Sequence, residues 1–248
     1  MAATWRLPLV GVLILAACSS PAGSPSPSSS AEAGLPTCIS SSDGPEVLCD
    51  LDVGTYQTAF LQPALKYAVP SAGWGSLNLE TSPGNFSLFP PGGSLAGFEE
   101  GSTDDIQVVS AAVPPGLCNG EPSTEFPLTY EGLLTFLTTN PRLAVTNVHD
   151  ATVAGWSGTV MDIAMVTGDG CPDGVFVDLF IGVGVSHGAW GIGEAQAGAR
   201  LYLLHNPGDP RPLAVVVDDG AGGGSDYGDG EDWYGAAASV IDTFEFAP

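Results

Sequence analysis

"TYEGLLTFLTTN", residues 129–140, breaks the period of the sequence around it. Tyr130, Leu133, Leu134 and Leu137 recur at three- and four-residue intervals and share one helical face. Thr129 stands where an N-cap oxygen is needed, and Pro141 stops the helix. On either side the pattern belongs to strands. "GTYQTAF" (54–60), "LKYAVP" (65–70), "GSLNLE" (75–80), "NFSLFP" (85–90) and "DIQVVSAAV" (105–113) come before it. These short alternating runs, separated by Gly, Pro, Asn and Asp, predict an antiparallel meander. "AVTNVHDATV" (144–153), "SGTVMDIAMV" (157–166), "VFVDLFIGV" (175–183), "ARLYLLHN" (199–206) and "LAVVVDD" (213–219) follow in the same idiom. The helical period returns once more in "EDWYGAAASVIDTF" (231–244). There Trp233, Ala237, Val240, Ile241 and Phe244 align, and acids at the start suit the helix dipole. The predicted class is α+β: mainly an antiparallel β-sheet meander with two helices, the second at the C-terminus.

The first residues carry a different message. The apolar run Leu7–Ala17 has 11 residues, too few for the ~20 that a membrane-crossing helix needs. Arg6 before it and small residues after it make the pattern of a secretory signal. "LAAC" (15–18) resembles the lipobox of bacterial lipoproteins. That resemblance implies cleavage before Cys18 and diacylation of its sulfur. Two or three acyl chains hold a protein at a bilayer where one does so only marginally. "SSPAGSPSPSSSAEAG" (19–34) has no large apolar side chain to bury and is expected to be a disordered tether. The expected organisation is a lipoprotein signal peptide over 1–17, a lipidated cysteine and Ser/Pro tether over 18–34, and a single globular α+β domain over 35–248. The expected location is the extracytoplasmic face of the cell membrane, held there by the lipid anchor.

Charge narrows the partners. The chain has 28 acidic against five basic side chains and a formal net charge of −23. Removal of Arg6 with the signal leaves 28 against 4, or −24. Such a surface repels nucleic acid and anionic lipid, so nucleic-acid binding is excluded as a function class. A protein or a small ligand remains as partner. The cysteines left after the anchor, Cys38, Cys49, Cys118 and Cys171, are even in number and never close enough together for a zinc motif, which argues for disulfides. Cys38 with Cys49 is preferred for proximity, and Cys118 with Cys171 by elimination.

"GTYQTAFLQPALKYAVPSAGW" leading to "LFPPG", "LTFLTTNPRLAVTN" and "VIDTFEF" together resemble uncharacterised exported lipoproteins of high-GC, actinobacterial-type bacteria, over residues 52–247. The order of sheet, helix, meander and terminal helix also resembles, more loosely, the fold of the photosystem extrinsic protein PsbP and its relatives. Neither resemblance carries a catalytic residue onto this chain.

Candidate chemistry is sparse. "GVSHG" (184–188) matches the G-x-S-x-G nucleophile elbow, but 34 glycines make chance matches common. The Gly-rich "AWGIGEAQAG" after it makes a poor helix for an elbow. A surface loop at Ser186 is the expectation. His149, beside Asp150, is expected to point outward from a strand; His187 and His205 have no paired ligand at close spacing. Arg142, Arg200 and Arg211 are expected in ion pairs, and Trp74, Trp156 and Trp190 in packing. In "DDGAGGGSDYGDGEDW" (218–233), Asp219, Asp226, Asp229 and Glu231 suggest a weak calcium site, since calcium takes six to eight oxygens from flexible carboxylates and carbonyls. The favoured function is a non-enzymatic binding or interaction module. The alternative is a hydrolase with loop-borne residues around Ser186 or His149.

Overall fold

The computed structural model describes residues 37–40, 46–58, 60–79, 84–92, 104–116, 120–166, 176–183, 189–193, 198–220 and 231–247. Of residues 37–40, 46–48, 78, 79, 189 and 231 it describes the backbone alone. The central element is "LAVVVDD", strand β14 (Leu213–Asp219), whose seven residues are all buried. A strand covered on both faces carries no polar alternation, and this one lies mid-sheet between β7 (Asp105–Val109) and β13 (Gly198–Leu204).

The sheet has nine strands, each antiparallel to its neighbours. Its order is β1 (Thr37–Ser40), β2 (Glu46–Leu51), β5 (Trp74–Leu79), β6 (Asn85–Phe89), β7, β14, β13, β10 (Trp156–Met165) and β9 (Leu143–Val153). Two three-stranded sheets accompany it. One joins β3 (Gly54–Gln57), β4 (Leu65–Val69) and β15 (Glu245–Phe246); the other joins β8 (Ala112–Val113), β11 (Phe176–Gly182) and β12 (Ala189–Gly193). The helices among the described residues are α1 (Tyr130–Thr139) and α2 (Glu231–Ile241). The α+β class and both helices match the sequence reading.

Two cores follow from the alternation of β14. Leu213, Val215 and Val217 join a cluster with Trp74, Phe86, Ile106 and the α2 residues Trp233, Ala237, Val240 and Ile241. Ala214 and Val216 join the opposite cluster with Met161, Leu201, Leu203, the α1 residues Leu133, Phe136 and Leu137, and Leu179 and Phe180 of β11. Each fully buried aliphatic or aromatic side chain contributes about 1.5–3 kcal/mol, so both helices are held chiefly by this packing. The α1 cap is as expected: the Thr129 hydroxyl accepts from Gly132 N at 3.2 Å, and the helix ends before Pro141.

Several sequence expectations shift. The run 105–113 is two strands, because Ala111 adopts φ +53° and turns the chain between β7 and β8. The final helix stops at Ile241, three residues before the end of its apolar pattern, and Phe244 reaches the core from the turn after it. Strands β1, β2, β12 and β15 were not anticipated. The sheet is a meander only in part, since β14 enters beside β7 and separates it from β13. No described helix is long and apolar enough to cross a membrane.

Candidate functional site

Strands β9 and β10 form a hairpin at one margin of the sheet, joined by Ala154 (φ +52°) and Gly155 (φ +81°). Two successive positive φ values make a type I′ turn, whose twist matches that of the strands it joins. Beyond the turn the ladder is interrupted. His149 opposes Val160 and Thr146 opposes Asp162, so β9 has one residue more than β10 between these pairs. Asn147 absorbs the surplus at φ +53°, a left-handed conformation that Asn tolerates better than most residues. The bulge changes which residues of β9 face the α2 side.

On that side Asp162 faces Arg200 of β13 across the strands. Arg200 donates Nε to Asp162 Oδ1 at 2.7 Å and Nη2 to Oδ2 at 3.1 Å, and Asn147 Nδ2 donates to Oδ2 at 2.6 Å. Burial pushes the Asp162 carboxyl up, but the hydrogen bonds from Arg200 and Asn147 and the Arg200 charge outweigh it and hold the group below its ordinary range. The guanidinium also lies 4.5 Å from the Tyr234 ring centre of α2. His149 Nδ1 is 2.6 Å from the Asn147 carbonyl oxygen. A carbonyl only accepts, so Nδ1 carries the proton, and in the neutral tautomer Nε2 is the accepting nitrogen. Asn147, His149, Asp150, Ala151, Val160, Arg200 and Tyr202 line an open groove of about 430 Å³.

Elsewhere the candidates separate. Ser186 and His187 lie outside the described residues, as do Cys18, Cys118 and Cys171. His205 is exposed and stacks on Tyr130 with ring centres 3.7 Å apart. Lys66 pairs with Glu245 at 3.1 Å and Arg211 with Asp209 at 2.6 Å, so Arg200 and Arg211 are ion-paired as expected. Trp74 is fully buried, Trp156 packs on Phe246 at 4.5 Å and Trp190 on Phe180 at 5.8 Å between ring centres, which matches the packing reading. Cys38 is the register partner of Cys49, which is buried. A second cleft, of about 440 Å³, lies between the Pro115–Phe126 loop and the C-terminal end of α1.

Of the residues suggested for calcium, Asp226 and Asp229 lie outside the described residues and only the backbone of Glu231 is described. Asp219 is buried, and so are Asp104, Asp105 and Asp218, a concentration of acids that the sequence reading missed. The signal was available in the Asp pairs that end β14 and open β7. Strand alternation splits these four between the two faces of the sheet. Asp105 opposes Asp218 on the face that carries Val216, while Asp104, whose Oδ1 accepts from Gly220 N at 3.0 Å, belongs with Asp219 on the α2 side. Among the described residues no three His, Cys, Asp or Glu side chains form a group that could hold a metal ion. Desolvation, then the Asp218 charge, pushes the Asp105 carboxyl well up; the hydrogen bond from Gln107 Nε2 to Oδ2 at 2.9 Å offsets only part of it.

No family model matches this chain, and no curated protein does. Among solved structures it is similar to the solution structure of cyanobacterial PsbP (CyanoP) from Synechocystis sp. PCC 6803, at 10% identity and a TM-score of 0.35, over 79% of this chain and 94% of that one. The likeness is a weak one of fold and carries no role from that protein to this chain.

Proposed function

We propose that this chain is an extracytoplasmic binding module, anchored through lipid on Cys18 and presented on the 18–34 tether. The observation that supports it is the filling of both sheet faces. β14 is buried throughout and its side chains enter two packed cores, so the clefts lie at the margins, as open grooves suited to recognising a ligand. The lipobox and the short apolar run support the anchor; the Cys38 and Cys49 register supports a disulfide between them. A hydrolase is the competing reading, favoured by the His149 tautomer, which leaves Nε2 able to take a proton.

Native mass spectrometry of the full chain extracted from its own membrane separates the two. The expected result is a protein or small molecule that co-purifies and is released chemically unchanged. Turnover of that molecule, abolished by His149→Ala or Ser186→Ala, replaces the binding module with the hydrolase.

A further inference from the structure

We propose that the groove along β9, β10 and β13 binds a neutral, hydroxyl-rich ligand, a carbohydrate segment, through His149, Asn147 and Tyr202. The proposal rests on the binding-module reading and names its ligand class. Three features mark the groove as a prepared site. Asp162 accepts three hydrogen bonds, at 2.7, 3.1 and 2.6 Å, and so fixes both Arg200 and Asn147. The bulge at Asn147 holds a non-glycine residue at φ +53°; bulges re-aim side chains beside functional sites, and uncommon backbone angles gather there. The His149 ring is held by the carbonyl of the same residue, 2.6 Å away. Side chains ordered before a ligand arrives lose little entropy on binding it.

The chemistry of the lining selects the class. Arg200 is matched by Asp162 at 2.7 Å, so the groove offers an anion no surplus positive charge, and the net charge of −23 opposes one. What the groove presents is an uncharged polar set: the His149 ring, whose Nε2 accepts when the ring is neutral, the Asn147 amide, and the Tyr202 hydroxyl, able to donate or accept. A hydroxyl both donates and accepts, so vicinal hydroxyls satisfy such a set without bringing charge. The half-buried Tyr202 ring adds a flat apolar surface for the C–H face of a sugar. The groove is open and about 430 Å³ in volume, which fits a stretch of polymer lying across the sheet margin.

The experiment is a neutral-glycan array probed with the detergent-solubilised full chain, followed by amide-shift titration with the best binder and, at matched ionic strength, with citrate as an anionic control. The expected result is saturable binding with shifts confined to residues 146–151 and 200–202. His149→Ala, and Asn147→Gly, which keeps the left-handed backbone, should each weaken binding roughly tenfold, the loss of about one hydrogen bond, without moving the melting temperature. An array with no binder, a stronger response to citrate, or a binding loss matched by unfolding overturns the proposal. A glycan whose shifts map to the cleft of Pro115, Phe126 and Phe136 overturns this groove and leaves the binding module standing.

Discussion

Asp105 is the residue whose environment fits its charge least. It is 1% exposed, it faces Asp218 across the strands, and one of its oxygens, Oδ1, is buried without a hydrogen-bond partner. Its carboxyl is raised by burial and by Asp218, so the folded chain keeps a proton there to higher pH than the unfolded chain does. The contribution to stability is therefore greatest below the unfolded value near 3.8 and is lost as pH rises toward the folded value. Asp105→Asn removes the titration, and its amide oxygen can still accept from Gln107. It should raise the melting temperature at pH 7, by roughly 2–4 °C per kcal/mol recovered in a chain of this size, and flatten the profile above the unfolded value near 3.8. A variant as pH-dependent as the parent in thermal melts would assign the proton to another group. Gly132 makes a contrasting residue-scale case. A Cβ there would collide with the Pro127 carbonyl oxygen, backbone that cannot give way as a side chain tip can. Gly132→Ala should cost about 1–3 kcal/mol, read by urea unfolding, although alanine is the better helix former.

At the scale of elements, what could be read from the sequence was what alternation and helical period encode locally. Helix α1 kept its cap, its stop and its buried Tyr130, Leu133 and Leu137. β10 through β14 were found, except β12, because their apolar runs are long or alternate cleanly. "AWGIG" reads as a poor helix and has too many glycines to read as a strand, so β12 was missed; its register with β11 makes it one. The bulge in β9 was hidden for another reason: an extra residue at Asn147 looks like a lapse in alternation until its partner strand is seen. The groove shares that fate, since residues 147, 162 and 200 meet only through register. The buried acids were visible as letters, but "DD" after a valine run reads as the solvated end of a strand. Helix α2 depends on one such strand end: Trp233 Nε1 donates to the Asp218 carbonyl at 2.7 Å inside the core, with Trp74 at 6.3 Å. Trp233→Phe should cost about 1–3 kcal/mol by removing that buried hydrogen bond and part of the packing, and hydrogen exchange should show the loss in α2 before α1.

At the scale of the whole molecule, charge and attachment have to be considered together. With 28 acidic side chains the chain is repelled by anionic lipid, so the proposed residence at a membrane rests on the lipid anchor rather than on surface adhesion. A disulfide between Cys38 and Cys49 would hold the margin farthest from the groove. Cys38 and Cys49 oppose each other where β1 closes the sheet, and peptide mapping without reduction should recover them linked. A Cys38 peptide joined to Cys171 would refute that pairing. The anchor itself is tested at Cys18. The apolar run Leu7–Ala17 is 11 residues long, about half the length that spans a bilayer, so the proposed attachment rests on the lipid carried by the cysteine rather than on a spanning helix. Cys18→Ala should abolish metabolic labelling by palmitate and either release the chain from the membrane fraction or leave it as an unprocessed precursor, larger by the mass of residues 1–17. The two results report different steps, release meaning cleavage by another peptidase and retention of the precursor meaning that cleavage requires the lipidated sulfur. A variant that is cleaved, unlabelled and still membrane-bound would mean that a protein partner, and not lipid, holds this acidic domain at the surface.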